Sequence, residues 1–487
     1  MDIKALTGSF ILKNAYSTSK ELGVSIFLVG GAIRDLVLFS QLERDFDFAI
    51  KGDVHDAAMY FAKRVRGSSY CLDSKRGHYR VTIKGNTQSK DVDFSRFQGD
   101  EIKEDLLKRD FTLNSMAIDL KGLFEKSEIK IIDPLNGLGD IERGIIRACS
   151  PRVFDEDPLR LLRAVRLSAA TDFFIVDETE RLIREKKKQL SCSSWERIRD
   201  ELFQIFDLSN VSRSIEMLDG LGLLNIILPE VDAWKHIDQG EYHDYNLFDH
   251  SLKTIESIDL ILSSPSDYLP GCAYLLKAHF KEDLQNNITR ENLIKFIALL
   301  HDSGKVETQT FDGKKVRFFG HERVGQKINR AIAERFKLSQ RSSRIVANLT
   351  KNHMRVLNLS KSSRITQRAM YRFFNDLGKD GIDCLILSLA DALATREYIT
   401  YKPTLPLLDV IEELLKYYSN DWMQASEKPL LNGTEIMELL RIPQGEEVGR
   451  LLSLLKEAQT GGGISTKEEA KNLLYLDGFL NRMNCIQ

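Results

Sequence analysis

The stretch from Ser25 to Ile50 constrains the fold more than any other part of the chain. Its apolar run Ile26–Val29 predicts a buried strand. This strand ends at Gly30 and Gly31, and a helical pattern begins at Ala32. Paired glycines let backbone N–H groups approach a ligand closely, and the N-terminus of a helix favours an anion. We therefore interpret this strand–turn–helix as a cradle for phosphate.

A second predicted strand, Asp45–Ile50, carries two carboxylates on one face. Side chains alternate along a strand, so Asp45 and Asp47 share a face. Phe46 and Phe48 point the other way, into the core. Neighbouring carboxylates repel unless a divalent cation lies between them, and Mg²⁺ with substrate phosphates prefers such oxygen ligands. Each feature alone could be a tight turn or a solvated strand edge, but together they predict phosphoryl or nucleotidyl transfer.

The motifs LVGGAIRD and RDFDFAI in this stretch resemble the first motif of class II tRNA nucleotidyltransferases and bacterial poly(A) polymerases, which are polymerase-β-like nucleotidyltransferases. The resemblance implies an α+β fold, with a small mixed-sheet head followed by an all-helical body that includes an HD-type helical domain. It also implies that Asp45 and Asp47 are catalytic and hold Mg²⁺. Gly30, Gly31 and Arg34 would then bind the triphosphate of the incoming nucleotide.

Two further segments of the predicted head resemble the same family. A later strand has Asp93 at the family's position for a third catalytic carboxylate, which orients the attacking 3′-hydroxyl. A hydrophilic edge strand is the plain alternative. KRDFTLN resembles the family's second motif, RRDFTxN, with Lys108 in place of the first arginine. In this motif Arg109 can grip the triphosphate bidentately, and Asp110 and Asn114 complete the nucleotide site.

The segment EDPLR, residues 156–160, opens a helix, since proline is tolerated in a first turn and acidic residues suit the positive end of a helix. Arginines then recur every third residue among apolar side chains, which by itself fits an amphipathic helix with a solvated basic face. EDxxR resembles the family's base-selecting motif, in which Asp157 accepts from the amino group of cytosine or adenine and Arg160 donates to ring acceptors. The resemblance assigns four residues to the nucleotide: Asp157, Arg160, Arg163 and Arg166.

A basic run follows that helix. A solvated surface is one interpretation of it, and a grip on the acceptor arm of tRNA is the other. The run consists of Arg181, Arg184, Lys186, Lys187 and Lys188. The next segment, WERIRDE at residues 195–201, resembles the family motif that braces the base-selecting helix.

Six histidines and aspartates in the second half of the chain predict a metal site. They lie in or beside apolar-periodic helices, as ligands that project into a helical bundle do. A single histidine there would be an ordinary core or surface residue, but this set in this order resembles the HD phosphohydrolase superfamily. The six are His250, His301, Asp302, His321, His353 and Asp391. Such ligands suit Ni²⁺, Mn²⁺, Fe²⁺, Co²⁺ or Zn²⁺, and two ions can activate a water against a phosphoester.

A chain of 487 residues is long enough for roughly two to four domains. Strand patterns end near Arg152, and helical patterns then continue to the C-terminus. We predict a nucleotidyltransferase domain at 1–150 and a helical nucleotide- and RNA-binding neck at 151–235. An HD phosphohydrolase domain at 236–400 and a helical RNA-binding tail at 401–487 follow.

Charge and hydropathy limit the partners. A net charge of −2 does not suggest bulk electrostatic binding to nucleic acid, so an RNA partner needs local clusters of lysine and arginine. No apolar run approaches a membrane span and the N-terminus has no signal-peptide pattern, so we expect a cytoplasmic protein without a membrane partner. The six cysteines are scattered, which disfavours a disulfide framework or a zinc site.

These patterns together predict a template-independent nucleotidyltransferase that builds CC or CCA at the 3′ end of tRNA. Its partners would be the tRNA 3′ end, CTP and ATP, and a homodimer is left open. A poly(A) polymerase is the alternative within the family. The alternative from another class is an HD phosphohydrolase acting on RNA ends or nucleotides, with the N-terminal half as an RNA-binding module. Such a module would not need Asp45, Asp47 and Asp157.

The number of nucleotides added depends on one short segment. Family members that add the terminal A resemble one another in a longer flexible segment between the third carboxylate and the RRDFT motif. Here only Phe94–Glu104 separates Asp93 from Asp105, and extended residues span at most about 3.5 Å each. We therefore expect a CC-adding enzyme, with an A-adding partner enzyme that acts after it. If another loop reshapes the pocket, the enzyme would instead complete CCA alone.

Overall fold

The computed structural model describes residues 3–40, 46–85, 90–126, 129–240, 245–285, 288–313, 315–361, 365–395, 406–423, 429–461 and 463–484. The chain divides into two compact units. Unit 1 comprises Met1–Glu201 with Glu216–Ile227, and unit 2 comprises Leu202–Ile215 with Leu228–Gln487.

A seven-stranded mixed sheet forms the centre of unit 1. Its strands are β1 (Ser25–Val29), β2 (Phe46–Lys51), β3 (Ser68–Asp73), β4 (His78–Ile83), β5 (Lys90–Arg96), β6 (Ala117–Asp119) and β7 (Ile131–Ile132). They lie in the spatial order β3-β4-β5-β2-β1-β6-β7. β2 runs parallel to β5, and the other neighbouring pairs are antiparallel. The predicted mixed-sheet head is therefore confirmed.

Alternation along β2 directs its apolar side chains into the core. Phe46 is 4% and Phe48 0% exposed, whereas Asp47 between them is exposed. The ring of Phe94 on β5 lies 5.4 Å from that of Phe48 and 5.0 Å from that of Phe61. This aromatic cluster lies behind the carboxylate face of the sheet. One strand register therefore sets both the core and the face that carries the acidic side chains.

Helices make up most of the rest of unit 1. The side chain of Asp53 caps one of them by accepting from the N–H of Asp56, as an N-cap aspartate does. The helices are α1 (Ile3–Gly8), α2 (Phe10–Leu22), α3 (Gly31–Phe39), α4 (Val54–Val65), α5 (Ile102–Leu106), α6 (Leu120–Glu125), α7 (Gly137–Arg143), α8 (Val153–Glu156), α9 (Arg160–Thr171), α10 (Asp177–Lys186), α11 (Trp195–Phe206), α12 (Val211–Gly220) and α13 (Leu224–Ile227). The chain passes between the units within α11 and α12.

Short strands interrupt the helical body, so the expectation of helix alone beyond Arg152 is wrong at five of them, whereas the sixth, Ile145–Ile146, precedes Arg152. Strands of two or three residues are too short to show a period-2 pattern. Two such strands pair in parallel in unit 1, and four form two hairpins in unit 2. They are β8 (Ile145–Ile146), β9 (Phe174–Ile175), β10 (Asp283–Gln285), β11 (Ile288–Thr289), β12 (Thr310–Asp312) and β13 (Lys315–Arg317).

Unit 2 is otherwise helical, which confirms the predicted body. Its helices are α14 (Val231–Trp234), α15 (Leu247–Ser263), α16 (Pro265–Tyr268), α17 (Ala273–Phe280), α18 (Arg290–Leu300), α19 (Lys305–Thr308), α20 (His321–Arg335), α21 (Gln340–Asn352), α22 (Met354–Ser360), α23 (Gln367–Leu377), α24 (Asp380–Leu393), α25 (Pro406–Tyr417), α26 (Gly433–Leu440), α27 (Glu446–Thr460) and α28 (Lys467–Asn484). In the described parts of the chain, no helix has both the length and the apolar composition needed to cross a membrane.

An ion-pair network ties α18 to α24 in the core of unit 2. Arg290 at the start of α18 is 1% exposed. Its guanidinium donates to Glu282 at 2.5 Å, to Asp383 at 2.7 Å and to Asp380 at 2.8 Å. The burial of a guanidinium is tolerated because its hydrogen bonds are directed to carboxylates, and loss of these partners would leave an uncompensated charge.

The aromatic cluster in the sheet of unit 1 gives a stability prediction. Phe94→Ala should destabilise this unit by about 3–5 kcal/mol, since it removes a fully buried ring and leaves a cavity. Hydrogen-exchange mass spectrometry should show faster exchange in peptides from β2 and β5. Phe174→Ala, at a phenylalanine that is 71% exposed, is the matched control and should change exchange little. Equal exchange in the two variants would contradict the proposed core.

Candidate functional site

The phosphate cradle forms at the end of β1. Gly30 has a φ of 78°, a left-handed conformation that favours glycine, and α3 begins directly after it. A Cβ on Gly30 would lie 3.3 Å from an Asp47 carboxylate oxygen and 3.5 Å from a guanidinium nitrogen of Arg109. A Cβ on Gly31 would lie 3.4 Å from the guanidinium of Arg34. The two glycines therefore leave the start of a helix open between a carboxylate and two arginines.

Two carboxylates lie side by side next to this cradle. Asp47 on β2 and Asp93 on β5 are register partners in the parallel pair, so both point to the same face. Arg80 grips Asp93 with two hydrogen bonds of 2.8 Å, and His78 Nε2 is 3.7 Å away. Burial alone would raise the pKa of Asp93, but Arg80 and His78 lower it to about 2. Asp45, the other predicted metal ligand, lies outside the described residues.

A chain of hydrogen bonds connects the cradle to α9. Arg34 donates to the side-chain oxygen of Asn114 at 3.0 Å, and Asn114 donates in turn to Asp110 at 3.3 Å. The other oxygen of Asp110 accepts from Arg163 at 2.8 and 3.0 Å. Burial acts to raise the pKa of Asp110, but Arg163 and the N–H of Phe111 lower it to about 2. Asp110 is therefore a buried anion that orients two flanking side chains.

The arginines of α9 have specific acidic partners. Arg166 Nε lies 3.0 Å from a carboxylate oxygen of Glu201 on α11, and Arg163 lies 3.5 Å from the other oxygen. Arg160 lies 3.1 Å from Glu156. A merely solvated basic face would not need such partners, so the packing supports the interpretation of α9 as part of a site.

A pocket of about 260 Å³ lies beside this network. Asp157 precedes α9 in extended conformation, and one of its carboxylate oxygens accepts from the N–H of Leu159 at 3.2 Å. The other oxygen accepts from Arg197 at 2.9 Å. Arg160 donates to the carbonyl oxygen of Lys108 at 3.1 Å. The predicted acceptor and donor therefore line one pocket together with Arg109, Asp110 and Arg163.

The basic run after α9 does not present all its charges to solvent. Lys186 pairs with Asp155 at 2.7 Å, and Arg184 donates to a backbone carbonyl oxygen in α12. Lys187 is half-buried, whereas Arg181 and Lys188 are exposed. Binding of the tRNA acceptor arm by this run stays a prediction.

The six predicted HD residues converge within unit 2. Two groups each bring their ligand atoms within 4.8 Å of one another: His250, His301, Asp302 and Asp391 in one, and Asp302, His321 and His353 in the other. Asp391 is half-buried and the others are buried. Because Asp302 belongs to both groups, the arrangement has the donors for two neighbouring ions.

Asp302 uses a different oxygen for each group. Its Oδ2 atom lies 3.2 Å from His301 Nε2. Its Oδ1 atom lies 3.2 Å from His321 Nε2 and 3.3 Å from His353 Nε2. The carboxylate therefore lies between the imidazoles of both groups.

The contacts of the Nδ1 atoms of these imidazoles determine which tautomer each ring adopts. Each Nδ1 atom faces a backbone carbonyl oxygen: in His301 at 2.8 Å from Ala298, in His321 at 2.8 Å from Phe318 and in His353 at 2.7 Å from Thr350. A carbonyl oxygen only accepts, so Nδ1 carries the hydrogen and the Nε2 atom of a neutral ring is left as an acceptor. This is the tautomer that binds a metal through Nε2.

The facing acceptors require a cation. Among the described residues, His301 Nε2 and Asp302 Oδ1 find no partner in hydrogen-bond geometry despite their close neighbours. Burial lowers the pKa of His301, but the Asp302 and Asp391 carboxylates outweigh burial and raise it to about 10. The site therefore attracts positive charge, and imidazole with carboxylate is a suitable donor set for a transition metal.

A lysine completes this centre. Lys305 Nζ lies 2.6 Å from Asp302 Oδ2 and 2.6 Å from the side-chain oxygen of Gln239. The amide nitrogen of Gln239 donates to the backbone carbonyl oxygens of Tyr245 and Asn246, which orients its oxygen toward the lysine. A buried, oriented cation beside the ligands is suited to bind an anionic group.

Comparison with known proteins agrees with this arrangement. Three family models match the chain: the Poly A polymerase head domain at residues 26–147, the probable RNA and SrmB-binding site of polymerase A at 172–235 and the HD domain at 248–396. An A-adding tRNA nucleotidyltransferase of Deinococcus radiodurans is 31% identical, over 91% of this chain and 93% of the relative. A CC-adding tRNA nucleotidyltransferase of Thermus thermophilus is 31% identical, over 93% and 94%. The chain belongs to the tRNA nucleotidyltransferase family.

The fold also resembles that of solved CCA-adding enzymes. The solved complex of a CCA-adding enzyme with ATP superposes with a TM-score of 0.62, at 20% identity, over 98% of this chain and 96% of that chain. The predicted family and fold class are confirmed, and the chain is a nucleotidyltransferase of the CCA-adding type. Both the head and the HD domain are domain types that use divalent metal ions.

Sequence reasoning missed several partners in this nucleotidyltransferase. Arg80, Arg197 and Glu201 hold predicted site residues, and Gln239 holds Lys305, yet each lies far along the chain from the group it contacts. The only available signal was the resemblance of residues 195–201 to a bracing motif, which indicated α11 but not the contact between Arg197 and Asp157.

The Arg197–Asp157 pair predicts an effect on base choice. Arg197→Ala should weaken the preference among the four nucleoside triphosphates by roughly two- to five-fold, because the Asp157 carboxylate loses one of its two orienting donors. Asp157→Ala should weaken it more, since the acceptor itself is removed. Misincorporation is measured with each triphosphate in turn. Lys63→Ala, at an exposed lysine of the same unit, is the control, and an unchanged preference in Arg197→Ala would contradict the role of the pair.

Proposed function

We propose that this chain adds CMP from CTP to the 3′ end of tRNA and stops after two cytidines, which leaves the final A to another enzyme. The names of the two relatives support tRNA as the substrate but differ in the nucleotide added. The observation that favours CC addition is the short, anchored connector between β5 and α5.

This connector, residues 97–101, has little slack. The N–H of Phe97 donates to the carbonyl oxygen of Ile50 at 3.3 Å, and that of Gln98 donates to the Asp105 carboxylate at 3.0 Å. Lys51 Nζ donates to the carbonyl oxygen of Asp100 at 2.8 Å. Phe97 is 6% exposed. A segment held at both ends and in its middle cannot act as a long lever that reshapes the pocket from C to A.

Residues of the chain itself would bind and orient the nucleotide. The N–H groups at the start of α3, with Arg34 and Arg109, bind the triphosphate. Asp157 accepts from the amino group of cytosine, and Arg160 donates to its ring acceptors. A base without that amino group offers no donor to the half-buried Asp157 carboxylate, and a mismatch of this kind costs about 1–3 kcal/mol.

The carboxylates would organise the reacting atoms. Asp47, with Asp45, has the oxygen donors that Mg²⁺ prefers, and a bound Mg²⁺ supplies charge neutralisation at the phosphates. Asp93, held by Arg80, positions the 3′-hydroxyl of the tRNA. The 3′-oxygen attacks the α-phosphorus, the new phosphodiester bond forms and pyrophosphate leaves. Catalysis then consists of positioning and electrostatic stabilisation.

A sizing experiment tests the proposal. The protein is incubated with CTP, ATP and a tRNA that ends at its discriminator base, and the products should be two nucleotides longer. Asp47→Asn should lower incorporation by at least about 100-fold, because it removes a carboxylate of the reacting centre. Efficient addition of a third nucleotide, A, would show a complete CCA-adding enzyme. Long tails from ATP alone would show a poly(A) polymerase.

A second activity is proposed for the HD site, because Asp302 lies between two groups of ligands. The six residues would hold one or two ions from the set Ni²⁺, Mn²⁺, Fe²⁺, Co²⁺ and Zn²⁺, and such ions activate a water against a phosphoester. Lys305 would bind the phosphate of the substrate. The adjoining cleft, of about 1280 Å³, is large enough for a nucleotide or an RNA end.

A measurement of bound metal tests the HD site independently of the nucleotidyltransferase site. His353→Ala should lower the metal bound per chain and the hydrolysis of 2′,3′-cyclic phosphates, while nucleotide addition to tRNA persists. Elemental analysis by mass spectrometry measures the metal independently of activity. His236→Ala, at an exposed histidine that belongs to neither group of HD ligands, is the control and should keep its metal. Unchanged metal content in His353→Ala would rule out the assignment.

A further inference from the structure

A second pocket of unit 1 is lined mainly by cations. It has a volume of about 200 Å³ and lies beside the base pocket, with which it shares Arg109 and Arg160. Its other charged or titratable lining includes Arg76, His78, Arg96 and Lys108. We call these six side chains the cationic pocket.

The cationic pocket has more positively charged side chains than acidic partners to pair with them. Among the described residues of its lining, Asp105 is the only acidic one, and it pairs with Arg109 at 3.0 Å. Arg76 is 3.8 Å from Asp73, a weak and exposed pair. Within the described residues, the side chains of Arg96 and Lys108 have no ion pair. A pocket with two uncompensated cations has the electrostatics of a phosphate site.

The backbone holds Arg96 at the mouth of this pocket. Its N–H donates to the carbonyl oxygen of Gly77 at 3.1 Å. Gly77 has a φ of 63°, and a Cβ there would lie 3.4 Å from the Cβ of Arg96. The Asp73 carboxylate accepts from the N–H groups of Lys75 at 2.9 Å and Arg76 at 3.1 Å, which holds the turn between β3 and β4 in shape. The guanidinium therefore extends from a fixed backbone.

The position of the pocket indicates which phosphate it takes. His78 lies in its lining and is 3.7 Å from Asp93, the carboxylate assigned to the attacking 3′-hydroxyl. The triphosphate is already assigned to Gly30, Arg34 and Arg109, and Arg109 is the member of this set that also lines the cationic pocket. An additional phosphate beside the 3′-hydroxyl is carried by the terminal nucleotide of the RNA itself, on its 5′ side.

We propose that the cationic pocket binds the 3′-terminal phosphodiester of the RNA primer, with Arg96 and Lys108 as its principal contacts. This inference rests on the proposed nucleotide addition to tRNA. Both side chains are exposed, so the contact is electrostatic and weakens with salt. The residues set primer affinity rather than nucleotide choice.

Kinetics of two variants test the inference. Arg96→Gln and Lys108→Gln should each raise KM for tRNA about three- to ten-fold and leave KM for CTP unchanged. The slope of log affinity for tRNA against log salt should become shallower by about 0.7 to 0.9. Lys63→Gln removes the same charge from an exposed position on α4, outside the pocket, and should match the wild type.

A modified primer identifies the phosphate. A tRNA whose 3′-terminal linkage is an uncharged methylphosphonate should raise KM for the wild type, and Arg96→Gln should then cause no further loss. A rise in KM for CTP alone would assign the pocket to the triphosphate and overturn the inference. Unchanged constants in both variants would overturn it as well. A wild-type protein that adds no nucleotide to tRNA would remove the proposed function and this inference together, whereas normal addition with unaffected variants removes the inference only.

Discussion

The ion pair between the buried Asp110 and the half-buried Arg163 is the interaction on which the nucleotide site depends. Asp110 is ionised in a desolvated position, because Arg163 and a backbone N–H compensate its charge. Through Asn114 it also fixes Arg34 at the phosphate cradle. One carboxylate thus links the groups that face the phosphates to the helix that faces the base. Loss of the Arg163 charge would leave the buried Asp110 carboxylate without its main cationic partner.

The nucleotidyltransferase head and the HD site both bring acceptor groups close together, but they use different ligands. The head brings Asp47 and Asp93 together through the register of two parallel strands. The HD site instead buries imidazoles whose Nδ1 hydrogens are held by backbone carbonyl oxygens, so that their lone pairs face Asp302. Both arrangements place acceptors close together and so favour a bound cation beside the Arg80 and Lys305 side chains that already contact Asp93 and Asp302. Oxygen donors suit a hard ion in the first, and imidazole suits a softer one in the second.

Local patterns explain what the sequence could predict. The glycine pair and the alternation around Asp47 are each visible within a few residues. The HD ligands lie on separate segments of the chain and were predicted from their order and the family resemblance, and the structure brings them together. The missed contacts join distant segments: Arg80 to Asp93 across 13 positions, Arg197 to Asp157 across 40 and Lys305 to Gln239 across 66. Such pairs depend on packing between elements, which no local periodicity encodes. The short strands beyond Arg152 were missed because two or three residues show no period.

The connector between β5 and α5 also bears on how such enzymes can diverge. At Phe97 and Gln98 the connector is anchored through its own backbone N–H groups, so exchanging side chains within it changes the composition of the segment but not its length. A longer reach requires inserted residues, and the entropic cost of a longer loop rises only slowly with its length. During evolution, a change in this segment that alters the number of nucleotides added therefore requires the insertion or deletion of residues. Point substitutions alone do not lengthen the segment.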